Sequence, residues 1–262
     1  MSSDLVKPRS QSARKRLDVL LVERGLAGSR QKAQAMILAG EVRVSGQRAD
    51  KSGATFPADA SIEIAARALR YASRAGEKLQ GALRDFGVSP ANRTCLDAGS
   101  STGGFTDCLL QHGAARIYAV DVTANQLAWK LQRDPRVVPL EMNVRHLKPK
   151  DLPERPSLVT ADLSFISLTK VLPALAAAAQ ENAEFLLLVK PQFELERGEV
   201  GAGGIVRDPR LQERAVERVR KAAEACGISM KAVQPSRLPG AEGNQEFFLY
   251  GALRAPGNSP AE

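Results

Sequence analysis

The stretch that decides the reading of this chain is Thr94-Cys95-Leu96-Asp97-Ala98-Gly99-Ser100-Ser101-Thr102-Gly103-Gly104-Phe105-Thr106. A short apolar strand ends at Asp97, a turn rich in glycine and hydroxyls follows, and a helix opens near Gly103. Glycine lets a backbone come close to a ligand at the carboxyl end of the first strand, where open α/β sheets bind theirs. The spacing is not Gly-x-Gly-x-x-Gly and the chain holds no Gly-Lys-Ser/Thr, so neither a dinucleotide fingerprint nor a phosphate loop fits. Asp97, placed just ahead of the turn, would repel a pyrophosphate and suits a cationic ligand end. The next strand, Ile117–Val120, runs into Asp121, where a carboxylate can accept hydrogen bonds from a ribose diol. A ribose-bearing ligand with a positive sulfonium and no pyrophosphate is S-adenosylmethionine. Its expected contacts are Asp97, Gly99, Ser100, Ser101, Thr102, Gly103, Gly104, Phe105 and Thr106, with Asp121, Val122 and, after the third strand, Asn143.

Outward from the loop, strand and helix patterns alternate. Strands are expected at Thr94–Asp97, Arg116–Val120, Val137–Leu140, Ser157–Asp162, Glu184–Val189, Lys231–Gln234 and Glu246–Gly251. Helices are expected at Gly103–Gln111, Asn125–Leu131, Leu168–Ala179 and Leu211–Cys226. Such alternation argues for a parallel sheet covered on both faces. Ahead of it, residues 16–64 read as a small separate unit: a helix over Leu17–Val22 stopped at Gly25, a helix over Arg30–Leu38 capped by Ser29 and ended by Gly40, then strands at Val42–Val44 and Ser61–Ile64. Residues 1–15 read as a disordered basic start, 65–73 as a linker, 74–253 as the larger domain and 254–262 as a disordered tail.

The chain has 262 residues, 44% hydrophobic and 25% charged, which excludes wholesale disorder. Three cysteines without a Cys-x-x-Cys pair and two histidines exclude a disulfide scaffold and make no case for a metal site. No apolar run approaches the roughly 18 residues of a membrane span, and the polar, basic start lacks a secretory core; a cytoplasmic protein is expected. The net charge is +8, and residues 1–70 hold 13 Lys and Arg against 7 Asp and Glu. A basic module ahead of a near-neutral body suggests a reader of polyanions. Arg30, Lys32, Arg43 and Lys51 flank the second helix and the following strand, where they can meet phosphates together.

Four charged residues fall where a sheet of this kind gathers its chemistry. Lys78 lies on the helix before the first strand, Asp162 ends the fourth strand, Lys190 ends the fifth after Leu186-Leu187-Leu188-Val189, and Glu246 begins a late strand. A lysine directly after four apolar residues is costly unless its strand end opens into a cleft with partners. A ribose 2′-hydroxyl is a weak nucleophile that must lose its proton as a methyl group arrives. A neutral lysine amine can take that proton; Lys78 and the sulfonium favour the neutral form of Lys190, while Asp162 and Glu246 oppose it but orient the amine. Lys190 is therefore expected as base and Asp162 as its orienting partner, with Lys78 and Glu246 placing the ribose.

These residues carry two resemblances. Arg16-Leu17-Asp18, Gly28-Ser29-Arg30, Ala33, Ile37, Gly40, Val42-Arg43-Val44 and Gly46 resemble the S-four RNA-binding domain, which docks on structured RNA by shape. The ordered set Lys78, Asp162, Lys190, Glu246 resembles the Lys-Asp-Lys-Glu tetrad of FtsJ-like ribose methyltransferases. With the blocks SRAGEKL, DAGSSTGGFTDCLL, QLAWKL, ADLSFISL, VKPQFE, GGIVRD and NQEFFL, the chain from about residue 14 to 253 is similar to the TlyA family. The resemblance implies a Rossmann-like α/β methyltransferase sheet of seven mostly parallel strands, preceded in the chain by a small α+β RNA-binding domain. It implies an rRNA (cytidine-2′-O)-methyltransferase with S-adenosylmethionine as cofactor and one or both ribosomal subunits as partner; a monomer is the favoured state. Arg16, Ser29 and Arg74 join Arg30, Lys32, Arg43 and Lys51 as expected RNA contacts. Ala75 stands where the family usually has glycine, and Glu141-Met142-Asn143 is one residue shorter than the usual Glu-x-x-Asn, which removes Glu141 from the expected cofactor set. Gly198–Arg207 reads as a mobile flap over the RNA, with plain surface as the alternative. Three rival readings are weaker. A haemolysin would need a span or a strongly apolar amphipathic helix. A silent assembly factor would not need the tetrad, and a base methylase would carry an Asn-Pro-Pro-Tyr-like amide motif where Asp162 is followed by Leu163-Ser164-Phe165.

Overall fold

The computed structural model describes residues 13–38, 41–49, 51–64, 70–240 and 243–255. Residues 1–12 of the expected disordered start, Gly40, residues 65–69 of the expected linker and residues 256–262 of the expected tail lie outside the described residues. The chain divides into two compact units, 1–69 and 70–262.

In the first unit, β1 (Arg14–Arg16) pairs antiparallel with β4 (Thr55–Pro57). Helices α1 (Leu17–Glu23) and α2 (Arg30–Leu38) lie between them in sequence. A second small sheet places β2 (Val42–Val44) between β3 (Gln47–Arg48) and β5 (Ile62–Ile64). Leu17, Leu21, Ala33, Ile37, Val42 and Val44 fill the core. Ser45 and Gly46, both at positive φ, make the two-residue turn from β2 to β3. The β1–β4 pair had no signal in the sequence, because Arg-Lys-Arg shows no apolar alternation and its pairing comes from a distant segment. Next to it sits Asp18, fully buried, which accepts hydrogen bonds from Arg16 Nε (3.0 Å) and Nη2 (2.9 Å), Arg30 Nη2 (3.2 Å) and Gln34 Nε2 (2.9 Å). Arg16 foremost holds this carboxyl well below the usual carboxylate range.

The second unit opens with α3 (Ala75–Phe86), β6 (Thr94–Ala98), α4 (Gly104–Gln111) and β7 (Arg116–Asp121). It continues through α5 (Trp129–Gln132), β8 (Val137–Glu141), β9 (Leu158–Ala161), α6 (Leu172–Ala178) and β10 (Glu184–Val189). It closes with α7 (Pro191–Glu194), α8 (Pro209–Ala225), β11 (Ile228–Pro235) and β12 (Phe247–Leu253). The seven strands form one sheet in the order β11-β12-β10-β9-β6-β7-β8, with β12 antiparallel to β10 and β11 and the other pairs parallel. Successive residues of a strand face opposite sides. Leu96, Ala98, Tyr118, Val120, Phe185 and Leu187 accordingly pack with α6 and α8, while Cys95, Ile117, Ala119, Leu186 and Leu188 pack with α3 and α4. This double burial is why the strands read as continuous apolar runs.

Two expected helices are broken. Asn125–Leu131 becomes a 3-10 turn at Ala124–Gln126 followed by the short α5. Leu168–Ala179 becomes a 3-10 turn at Leu168–Lys170 and then α6, because Pro173 is tolerated only in a first turn. Expected strand Lys231–Gln234 extends to the eight residues of β11, whose largely exposed side chains give little apolar pattern at the sheet edge. The expected flap Gly198–Arg207 is fastened at its far half: Val206 N–H donates to Asn244 Oδ1 (2.8 Å) and Asn244 Nδ2 donates to Gly204 O (2.8 Å).

Asp97, on β6, has no exposed surface and accepts a 2.6 Å bond from Thr106 Oγ1; burial pushes its carboxyl up to about 7. The folded protein thus keeps this proton to higher pH than the unfolded chain, whose carboxyl titrates near 4, so the group's effect on stability worsens as pH rises from about 4 through about 7. The expected outcome is that Asp97→Asn flattens the fall in melting temperature of the unliganded protein between pH 5 and 8. Parallel wild-type and variant curves across that window would contradict the assignment.

Candidate active site

From β6 the chain runs to β7 and β8 on one side of the sheet and returns to β9 and β10 on the other. The carboxyl ends of β6 and β9 therefore diverge at a switch point, where open α/β sheets form their crevice. A cavity of about 560 Å³ opens there, lined by Gly99, Ser101, Val120, Asp121, Val122, Gln126, Met142, Asn143, Val144 and Asp162–Ile166. Beside it lies a smaller one of about 220 Å³, walled by Ser73, Ala75, Gly99–Thr102, Gly104, Phe105, Asp162, Ser164 and Lys190.

The loop after β6 is tied down by its own backbone. Gly99 and Ser100 N–H both donate to Val120 O (2.8 and 3.1 Å), and Gly103 N–H donates to Ser100 O (2.7 Å). Gly99 and Gly103 have positive φ, which glycine adopts without strain. A Cβ on Gly99 would strike the carbonyl of Asp162, and one on Gly103 would strike Leu131. The first glycine thus lets the loop lie against the neighbouring strand end; the second lets α5 seat on the loop. Asp121 Oδ2 accepts Ser101 N–H (2.9 Å) and its Oδ1 accepts Thr123 N–H (3.1 Å), so the carboxylate is fixed on the cavity wall with acceptor capacity left. Asn143 Oδ1 accepts Arg145 N–H (3.0 Å), which caps a 3-10 turn and sets Asn143 at the far wall.

Three expected cofactor residues stand off both cavities: Gly103, which packs against Leu131, and Asp97 and Thr106. Thr106 Oγ1 donates to Asp97, which also receives a weaker contact from Thr160 Oγ1 (3.4 Å), and Asp97 and Thr106 are both fully buried. Phe105, in the first turn of α4, is buried against Phe248 and lines the smaller cavity.

The four charged residues form two pairs. Lys190 Nζ lies 2.6 Å from Asp162 Oδ1, and Lys78 Nζ donates to Glu246 Oε2 at 2.5 Å. Each side chain is at most 15% exposed, so each charge depends on its partner. Lys190 and Asp162 line the smaller cavity; Lys78 and Glu246 line neither, and Lys78 is neutralised by Glu246. Lys190 also donates to Ser164 Oγ (2.9 Å), a contact without a sequence signal, because a serine in a loop carries no periodicity.

The segment bearing Asp162 and Ser164 is laced to the one bearing Lys190. Phe165 packs on Phe193 with ring centroids 5.2 Å apart, and Glu194 accepts from Ser167 Oγ (2.5 Å) and Leu168 N–H (2.8 Å). Phe165 has φ +65° and is 92% exposed, a backbone conformation costing roughly 1–2 kcal/mol for a side-chain-bearing residue. Burial raises the carboxyl of Glu194.

In the first unit, the expected RNA contacts divide. Arg16 and Arg30 serve the buried Asp18, and Ser29 Oγ accepts Lys32 N–H (3.2 Å) as a helix cap. Lys32, Arg43 and Lys51 are exposed, with Arg43 opposite Arg48 across the β2–β3 pair, and Arg74 is exposed just before α3. Among the described residues no helix is long and apolar enough to cross a membrane.

The profile of the FtsJ-like methyltransferase family matches residues 71–253, and that of the S4 domain matches residues 15–58. The 16S/23S rRNA (cytidine-2′-O)-methyltransferase TlyA of Mycobacterium tuberculosis is 48% identical over 239 residues, spanning 90% of this chain and 89% of the relative. Hemolysin A of Brachyspira hyodysenteriae is 42% identical, spanning 90% and 98%. A solved hemolysin-type structure from Streptococcus thermophilus superposes with a TM-score of 0.75 at 40% identity, covering 94% of this chain and 90% of that one. A seven-stranded methyltransferase sheet preceded by an S4 domain, with this degree of identity along both, places the chain in the FtsJ-like methyltransferase family together with its TlyA relatives.

Proposed function

We propose that this protein transfers a methyl group from S-adenosylmethionine to the 2′-hydroxyl of a cytidine ribose in ribosomal RNA, working on ribosomal subunits in the cytoplasm. The observation that carries the reading is the Lys190 amine, held by Asp162 and Ser164 on the wall of a cavity that adjoins the glycine loop. The mycobacterial relative bears that activity in its name.

The residues present fit the cofactor. Gly99 brings the loop backbone onto the wall of both cavities, Asp121 offers carboxylate oxygens to a diol, and Val122, Met142 and Val144 give apolar wall beside Asn143 for a flat heterocycle. Bound there, S-adenosylmethionine supplies an electrophilic methyl on a positively charged sulfur. With that group bound, Lys190 Nζ would take the 2′-hydroxyl proton as the oxygen receives the methyl group and the sulfur is left neutral. Asp162 stabilises the resulting ammonium, which is the state its charge favours. Lys78 and Glu246, fixed to each other off the walls of both cavities, keep only the ribose-placing role that the tetrad resemblance implies. Asp97, caged by Thr106, supports the loop from beneath rather than from the cavity wall. Lys32, Arg43 and Lys51 bind RNA phosphates, with Arg74 on the methyltransferase unit adding a further cation. Arg16 and Arg30 reach RNA only with whatever donors Asp18 leaves free.

Three outcomes test the reading. Labelled methyl transfer to unmodified ribosomal subunits, mapped by mass spectrometry, yields 2′-O-methylcytidine with the wild-type protein and none with Lys190→Ala, which still binds S-adenosylmethionine. A fully active Lys190→Ala removes the base assignment. Gly99→Ala weakens calorimetric S-adenosylmethionine binding by about tenfold or more, since about 1.4 kcal/mol suffices for that and the new methyl meets the Asp162 carbonyl; unchanged affinity argues against this loop as the cofactor bed. Replacing Lys32, Arg43 and Lys51 together by alanine reduces the log–log salt slope of RNA binding by roughly 0.7–0.9 for each phosphate that is no longer neutralised. An unchanged slope moves the phosphate-binding cations elsewhere.

A further inference from the structure

Resting on the methyl-transfer reading, we infer that Ser164 is the positioning residue that aims the Lys190 amine. An amine on a fixed carbon chain keeps one freedom, rotation about the Cε–Nζ bond. That rotation decides whether the lone pair meets the incoming hydroxyl. Asp162 lies 2.6 Å from Nζ, yet its Oδ1 is buried without a hydrogen bond of acceptable angle, so the pair attracts without setting the rotor. Ser164 Oγ accepts a directed bond from Nζ at 2.9 Å. One N–H of the neutral amine is thus committed to Ser164 and the other is drawn toward the Asp162 carboxylate, which leaves the third position to the lone pair.

The backbone around Ser164 is arranged to hold it in place. The next residue, Phe165, takes a left-handed φ while its side chain stays 92% exposed, so burial of that ring does not account for the conformation. Phe193 touches Phe165, and Glu194 grips Ser167 and Leu168, both from the four-residue helix that directly follows Lys190. Base and aiming hydroxyl are therefore carried on two segments fastened to each other at three successive points. The serine itself is exposed and lines both cavities. Removing its hydroxyl takes little from the fold, since surface substitutions of this kind change stability only slightly.

The test compares Ser164→Ala and Ser164→Thr with wild type in the full-length protein, using labelled transfer to unmodified ribosomal subunits under saturating and limiting substrate. For Ser164→Ala the expected result is a kcat lower by about 10- to 100-fold, the scale of a misaimed reacting group. The KM for RNA and the calorimetric affinity for S-adenosylmethionine stay within about twofold of wild type, with an unchanged melting temperature. Ser164→Thr, which keeps the hydroxyl and turns its methyl to solvent, restores kcat. The inference is overturned by a Ser164→Ala enzyme with wild-type kcat, by a loss confined to KM or cofactor affinity, or by a stable Ser164→Thr as slow as alanine. Lys190→Ala in the same assay separates this failure from that of the underlying reading: if it stays inactive while Ser164→Ala is unimpaired, Lys190 remains the base and only its aiming by Ser164 is lost.

Discussion

Burial of the central sheet on both faces is the constraint from which the rest follows. Helices cover Leu96, Tyr118 and Phe185 on one side and Cys95, Ile117 and Leu186 on the other, so a polar group along the strands must be hydrogen-bonded inside the core, as Asp97 is to Thr106 and Thr160. Polar groups are driven to the strand ends, and the reversal of strand order at β6 makes one end a crevice. Asp121, Asp162 and Lys190 each stand at or just beyond the carboxyl end of a strand whose apolar residues hold it rigid. A site built this way gains precision from the core beneath it, because moving any of these groups means moving a strand.

Charge inside the second unit is distributed as closed pairs. Lys78–Glu246 and Lys190–Asp162 are nearly dry, and a lone member of either would carry a heavy desolvation cost. The two pairs differ in surroundings: the first lies away from the cavity walls, and the second faces a cavity with a serine as additional partner. Asp97 and Glu194 are exceptions, buried carboxyls whose hydrogen-bond partners are hydroxyls or a backbone N–H rather than a cation, and burial raises both.

The first unit solves a small-domain problem with the same device. A unit of this size buries little apolar surface, and Asp18 adds a buried carboxylate that gathers Arg16, Arg30 and Gln34 around the start of α1. Two of the arginines that composition alone would give to RNA are thereby engaged in holding the fold. The exposed cations that remain, including Arg43 and Arg48 held opposite each other at a cost in repulsion, give the unit its unneutralised positive surface.

Local pattern carried much of this. Apolar runs bounded by glycine and charge determined the parallel strands, Glu184–Val189 to the residue, and the turn after β6 marked the loop that lines the two cavities. Blocks such as ADLSFISL and VKPQFE marked the family, and both profiles match the chain. Tertiary structure alone decided the rest. The β1–β4 pair and the full length of β11 depend on pairing with other segments, to which periodicity is blind, whereas Pro173 marks the break before α6 within the segment itself. Which arginines are engaged by Asp18, that Asp97 faces Thr106 and that Ser164 reaches Lys190 are matters of side-chain direction across separate segments. A sequence specifies which groups a strand end carries, but the pairing of those groups is fixed only when the packed strands bring their ends together.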